Sequence, residues 1–257
     1  MRIARFSHEG EVAFGVVEVG GDGAIEVAEL TGHPFGPITF SGARHALTSV
    51  RLLAPVLPSK VVAIGRNYAE HANEMGGDVP EQPLIFLKPS TAVVGAGDPI
   101  AYPSTSSRVD FEGELAVVIG RLCRDVPENQ AMDVVFGYTC ANDVTARDQQ
   151  RSDGQWSRAK GYDSFCPLGP WIETDLDVGD LRIATTLNDA VKQDGRTSQI
   201  VHKVPALIAY ISACMTLLPG DVILTGTPAG VGPMQVGDEV AVEVEGIGKL
   251  VNPVVAR

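Results

Sequence analysis

Read for its alternation of apolar and polar positions, the chain changes character near residue 57. RIARFS, EVAFGVVEV and AIEVAEL alternate with a period of two and are separated by His8–Gly10 and Gly20–Gly23, which predicts a small antiparallel sheet. A looser stretch with Pro34, Pro37, Pro55 and Pro58 follows. Residues 1–57 are therefore expected to form a small N-terminal β domain, and residues 58–257 the main one. Past residue 58, KVVAIG (60–65), LIFLKP (84–89), GELAVVIG (113–120), VVFGYTCAND (134–143), LRIATTLN (181–188), DVILTG (221–226) and DEVAVEVEGIGKLVNPVV (238–255) read as strands. Helical spacing is rarer. VPALIAYISACMTL (204–217), closed by Pro219-Gly220, carries it most clearly, with shorter candidates at 67–75, 128–135 and 144–152. QWSRAKGYDSFCPLGPW is expected to be irregular. Strands that do not alternate regularly with helices argue against a doubly wound sheet. They predict a mainly β fold with some α, its strands rolled around a central cleft.

Composition narrows the function classes without naming one. The formal net charge of -12 argues against a nucleic-acid binder, which would show a basic face. It leaves a small anionic ligand open, because one metal ion or arginine reverses the field inside a cleft. No run of 18 apolar residues is present, so no membrane span is expected, and the N-terminus shows no apolar signal-peptide region. The four cysteines, Cys123, Cys140, Cys166 and Cys214, form no CxxC pair. That usage fits a reducing compartment, and a cytoplasmic protein is expected.

The candidate chemistry begins with VDFEGELAVVIG. Side chains two apart on a strand share a face, so Glu112 and Glu114 project together. Two adjacent carboxylates repel unless a cation lies between them, and a solvated strand edge is the plainer explanation of the pair. Asp143, at the end of VVFGYTCAND, is a third acid whose ordinary role would be a helix N-cap. Together the three would offer a hard, all-oxygen ligand set of the kind that selects Mg²⁺. Three open positions would remain for a 2-oxo acid.

In GRNYAEHANEMGG, His71 and Glu74 are three apart, which makes them neighbours on a helix. Such a pair is either a general-base arrangement or a surface ion pair. Arg66 is placed to meet a substrate carboxylate or to form a structural salt bridge. Lys160 is either a buried stabiliser of an enolate or an exposed loop lysine. In LTGTPAGVGP, Thr227 and backbone N–H groups offer donors to a carboxylate, but the GK[ST] ending of a P-loop is missing.

As a set, GRNYAEHANEM, FEGELAVVIG, ANDVTARDQQ, WSRAKGYDSFCPLGPW and ILTGTPAGVG occur in the order found in the fumarylacetoacetate hydrolase family, which the chain resembles over roughly residues 60–233. The resemblance implies a mixed β-sandwich roll, a homodimer, and one Mg²⁺ for which Mn²⁺ or Ca²⁺ can substitute. It implies metal ligation by Glu112, Glu114 and Asp143, catalytic roles for His71, Glu74 and Lys160, and substrate contacts from Arg66, Gln150 and Thr227. The expected activity is carbon–carbon cleavage, by hydrolysis or decarboxylation, in a small 2-oxo or 2,4-dioxo acid such as an acylpyruvate or oxaloacetate. Isomerisation of 2-hydroxyhepta-2,4-diene-1,7-dioate is the alternative within the family, and a non-catalytic ligand-binding protein the alternative outside it.

Overall fold

In the computed structural model, which describes residues 1–21 and 23–257, the chain is mainly β, as the pattern predicts. A twelve-stranded sheet forms the backbone of the molecule. Along its main path the strands run in the order Phe40–Ala46, Ile25–Leu30, Glu11–Val19, Arg2–His8, Cys166–Glu173, Val135–Asn142, Gly113–Ile119, Val222–Leu224, Val61–Gly65 and Leu84–Lys88. A five-stranded sheet (Ala190–Arg196, Arg182–Leu187, Glu239–Val244, Gly248–Ala256, Ile100–Tyr102) packs against one face of it, and a three-stranded ribbon (Thr145–Ala146, Val109–Phe111, Gly232–Met234) lies at the end of the cleft. The N-terminal strands form no separate sheet: Arg2 and Ile3 pair with Glu173 and Ile172, so the N-terminal residues extend the main sheet. Among the described residues no helix is long and apolar enough to cross a membrane.

The strand Gly113–Ile119 shows why the fold is built this way. All seven of its residues are buried, because both faces of the strand are covered. Leu115, Val117 and Ile119 enter a core shared with Leu207, Ile208 and Ile211 of the helix Val204–Cys214 and with Val242 and Val244 of the five-stranded sheet. Ala116 and Val118 point the other way, toward Val61, Ala63 and Ile172. Each fully buried large apolar side chain in these layers contributes about 1.5–3 kcal/mol against exposure. Glu114 lies on the face of Ala116 and Val118, and Gly113 on the opposite one.

Several elements differ from the sequence pattern. The helix Val204–Cys214, with Met215 as its C-cap, ends three residues before the predicted close at 217. The segment at 128–135 is a 3₁₀ helix, and the helix expected from residue 144 begins at Arg147 after a two-residue strand. Its N-cap is Ala146, so the Asp143 carboxylate is not used as a cap. Lys160, expected on irregular backbone, closes a single helical turn, Ser157–Lys160. Strand Cys166–Glu173 escapes the pattern because Pro167, Gly169 and Pro170 interrupt its alternation.

Gly113 separates the two glutamates because nothing larger fits. A β-carbon there would lie 2.1 Å from Thr185 Oγ1, a buried atom of the facing sheet. Gly113→Ala is expected to cost about 1–3 kcal/mol through overpacking. The loss should appear as a melting temperature several degrees lower, with unchanged stability counting against the packing described here.

Candidate metal centre and catalytic cleft

The cleft opens where the ends of four neighbouring strands converge. Glu114 is opposite Ala141, Ala116 opposite Leu224, and Leu224 opposite Ala63. The chain therefore emerges side by side at Glu114, at Asn142-Asp143, at Thr225–Thr227 and at Gly65-Arg66. Asn67 fastens two of these exits together. Its amide donates to the Thr225 carbonyl (2.8 Å) and its Oδ1 accepts from His202 N (2.8 Å). Gly226, at φ 99°, passes so close that a β-carbon would lie 2.8 Å from Asn67 Cβ.

Nearly all the side chains singled out in the sequence share this one cleft. It is lined by Arg66, His71, Glu112, Glu114, Asp143, Gln150, Lys160 and Thr227, with Ile64, Phe86 and Trp156 as apolar walls. Glu74 lines an adjoining chamber and reaches the cleft through His71, whose Nδ1 lies 3.3 Å from Glu74 Oε2. Gly230 N donates to the same carboxylate oxygen (3.2 Å), which fixes Glu74 from the other side.

Glu112, Glu114 and Asp143 are buried, and each offers an oxygen within 4.8 Å of the other two. Their carboxylates are held very differently. Glu112 accepts from Arg147 Nη2 (2.5 Å) and Lys160 Nζ (2.8 Å). Burial alone would raise its pKa, but Lys160, Arg147 and His71 outweigh burial and hold it well below the usual carboxylate range. Asp143 accepts from Lys160 Nζ (2.6 Å) and Lys88 Nζ (2.5 Å). Glu114 touches no cation among the described residues; the Gly226 N–H donates to it at 2.6 Å. Burial, then repulsion from Asp143 and Glu112, pushes its pKa well above the ordinary value. A buried carboxylate facing two others, with no cation of its own, is the deficit that a divalent ion would fill. The donor set is all hard oxygen, which suits Mg²⁺ or Mn²⁺. The residues present fit such an ion.

Lys88 and Arg147 were not among the residues singled out in the sequence. Lys88 ends an apolar strand and reads there as a residue reaching for solvent, yet it is 1% exposed and bonded to Asp143. Arg147 links Asp110 (2.9 Å), Glu112 and the Gln150 side-chain carbonyl (2.7 Å), and so places three groups at once. With its oxygen taken by Arg147, Gln150 keeps its NH₂ group as a donor. The Thr227 hydroxyl donates to the Gly113 carbonyl (2.8 Å) and accepts from Gln193 Nε2 (2.7 Å). The strand turn between the two glutamates is thereby tied to the TGTP loop.

Glu114→Gln isolates the charge deficit. In metal-free protein at pH 7 it should raise stability by about 1–2 kcal/mol, as relief of an uncompensated buried charge. Glu114 holds its proton more tightly folded than unfolded, so its contribution to stability falls as pH rises above the ordinary glutamate range. The gain should therefore shrink toward pH 4, while the melting-temperature rise on adding Mg²⁺ or Mn²⁺ should be lost. A less stable metal-free variant at pH 7 would contradict the reading of Glu114.

Comparison with known proteins identifies the family. The family model described as Fumarylacetoacetate (FAA) hydrolase C-terminal matches residues 60–255, and one described as Rv2993c-like, N-terminal matches residues 1–55. The crystal structure of 2-hydroxyhepta-2,4-diene-1,7-dioate isomerase from Mycobacterium marinum is 55% identical, with a TM-score of 0.93 over 100% of this chain and 99% of that one. The mitochondrial oxaloacetate tautomerase FAHD2A of Homo sapiens is 44% identical over 86% of this chain and 77% of its own. Maleylpyruvate hydrolase from Sphingobium sp. SYK-6, solved in complex with manganese(II) and pyruvate, is 36% identical, with a TM-score of 0.81 over 100% of this chain and 99% of that one. The chain belongs to the fumarylacetoacetate hydrolase family and is an enzyme of that family.

Proposed function

We propose that the enzyme moves a proton at the carbon beside the carbonyl of a small 2-oxo acid, interconverting keto and enol forms or shifting a double bond. The observation that carries this reading is the buried Glu114 carboxylate, which lacks a cation inside a trio of acids whose other two members are held by lysines and an arginine. Glu112, Glu114 and Asp143 would hold the divalent cation, Mg²⁺ or Mn²⁺. When bound, the cation supplies Lewis-acid polarisation of the 2-oxo carbonyl. The isomerase and tautomerase names of the 55% and 44% identical relatives support proton transfer as the reaction.

The protein's own groups have definable tasks in that chemistry. An ammonium has three donors, and Lys160 uses two of them on Glu112 and Asp143, leaving one N–H for an oxygen that gains charge. The NH₂ group of Gln150 is a second donor at the same wall. His71 accepts the proton at carbon and returns it, with Glu74 fixing its ring through Nδ1. Ile64, Phe86 and Trp156 exclude water from the side of the cleft where the carbanionic carbon would lie.

One observation favours a second reading, carbon–carbon cleavage. Glu74 is anchored by Gly230 N as well as by His71, and a dyad so fixed suits activation of a water molecule. Both reactions pass through the enolate of the 2-oxo acid, and they differ in whether water attacks the distal carbonyl.

Oxaloacetate, acetylpyruvate, fumarylpyruvate and 2-hydroxyhepta-2,4-diene-1,7-dioate, each followed by ultraviolet absorbance with Mg²⁺ and with EDTA, separate these readings. Proton transfer predicts a metal-dependent change in enol absorbance without release of pyruvate, and cleavage predicts stoichiometric pyruvate. In either case His71→Asn is expected to slow turnover by about 10²–10⁴-fold while leaving the cation-induced melting shift intact. Undiminished turnover by the variant would remove His71 from the mechanism.

A further inference from the structure

The strand Ala190–Arg196 lies at the edge of the five-stranded sheet, and most of its residues are exposed. Gln193 and Gly195 are the two exceptions, and a spacing of two puts both on the inward face. Gln193 is 0% exposed, which is costly for an amide unless its polar atoms are paired. They are. Its Oε1 accepts from Gly113 N (2.9 Å), and its Nε2 donates to Thr227 Oγ1 (2.7 Å) and to the Pro228 carbonyl (2.7 Å). The Gly113 N–H can only donate and the Pro228 carbonyl can only accept, so a single orientation of the amide satisfies both. The Thr227 hydroxyl donates onward to the Gly113 carbonyl (2.8 Å) and closes a ring of three hydrogen bonds on residue 113.

That residue separates Glu112 from Glu114. The neighbouring Glu112 N donates to Asn142 Oδ1 (2.9 Å), and the Glu112 carbonyl accepts from Asp143 N (2.8 Å). The ring around Gly113 therefore completes the fixing of the backbone that carries the trio.

The same edge strand also clamps the loop that follows Thr227. A β-carbon on Gly195 would lie 2.6 Å from Pro228 Cβ, and one on Gly230 would lie 2.2 Å from the Lys192 carbonyl. Gly230 N in turn donates to Glu74 Oε2 (3.2 Å), the oxygen that lies 3.3 Å from His71 Nδ1. One strand thus reaches the acidic trio through residue 113 and the His71–Glu74 pair through residue 230.

We propose that Gln193 is a positioning residue for the reaction. Acting through Gly113 and through the loop 227–230, it fixes the turn between Glu112 and Glu114 relative to the His71–Glu74 pair. The inference rests on the proton-transfer reading, in which the trio holds the cation and His71 moves the proton. It explains why an edge strand buries a fully bonded glutamine where an apolar side chain would pack without the cost of desolvating an amide. A misplacement of about 1 Å between a base and its substrate is enough to slow a reaction by roughly 10²-fold.

The test compares Gln193→Met, Thr227→Val and Thr227→Ser with the wild type on the four acids named above, at saturating Mg²⁺. Methionine keeps the length of glutamine without its amide, valine keeps the shape of threonine without its hydroxyl, and serine restores the hydroxyl. Gln193→Met and Thr227→Val are each expected to lower kcat by roughly 10–100-fold with little change in KM, and Thr227→Ser to recover most of the loss. The double variant Gln193→Met/Thr227→Val should be no slower than the slower single one, because both break the same ring. A lost substrate contact at Thr227 would instead raise KM and add to the effect of Gln193→Met. A kcat for Gln193→Met equal to that of the wild type, even with a lowered melting temperature, overturns the positioning role and leaves the reading of the cleft intact. Should Gln193→Met fail to fold, equal kcat for Thr227→Val and Thr227→Ser overturns it as well. Turnover of none of the four acids by the wild type removes the reading of the cleft, and the role of Gln193 with it.

Discussion

Everything in the cleft depends on holding three carboxylates close together away from water. Glu112, Glu114 and Asp143 could not share one buried site as bare anions, since each would raise the pKa of the others until protons replaced charge. The fold answers with buried cations delivered from separate parts of the chain: Lys88 from an edge strand, Arg147 from the start of a helix, and Lys160 from a single helical turn. The compensation is unequal. Glu112 and Asp143 are each held by two cationic groups, whereas Glu114 receives a backbone N–H. The unequal distribution separates this cluster from a structural salt-bridge network, in which each acid would have its own partner.

That electrostatic arrangement explains features that look unrelated in the sequence. Gly113 must be glycine because the strand carrying the glutamates is pressed against Thr185 of a second sheet. Asn67 and Gly226 must pass within contact distance, so that the turn bearing Arg66 and the loop bearing Thr227 reach the same rim. Thr227, expected to contact substrate, uses its hydroxyl to tie Gly113 to Gln193. Its presence at the cleft wall comes with a positioning contact that links the glutamate strand to the five-stranded sheet.

The legible part of this site was the part written locally. A period of two put Glu112 and Glu114 on one face, and a spacing of three paired His71 with Glu74. Strands with apolar runs, such as Leu115–Ile119 and Val61–Gly65, were equally plain. What stayed hidden depends on contacts between distant segments. Lys88 looks like an ordinary strand-end lysine until Asp143, 55 residues later, is brought to it. Arg147 gains its meaning from Asp110 and Glu112, more than 30 residues earlier. Strand Cys166–Glu173 is concealed by its own prolines, and it is also the strand that joins the N-terminal residues to the main sheet. No local pattern could show that Arg2 and Ile3 would be the strand partners of Glu173 and Ile172.

The same contrast between paired and unpaired charge organises the whole cavity. At its floor every cation is engaged: Lys88 on Asp143, Lys160 on Glu112 and Asp143, Arg147 on Asp110, Glu112 and the Gln150 amide. Farther out, Arg66 and Arg151 line the adjoining chamber and have no ion-pair partner among the described residues. A protein with 32 acidic side chains against 20 basic ones could easily have supplied a neutralising neighbour. Unpaired guanidinium groups at the mouth and an unpaired carboxylate at the floor are complementary omissions. The cation missing at the floor is the one that a divalent ion would supply. Buried charge left uncompensated destabilises a folded chain, so the bare Glu114 carboxylate at the floor is most simply understood as charge reserved for a ligand.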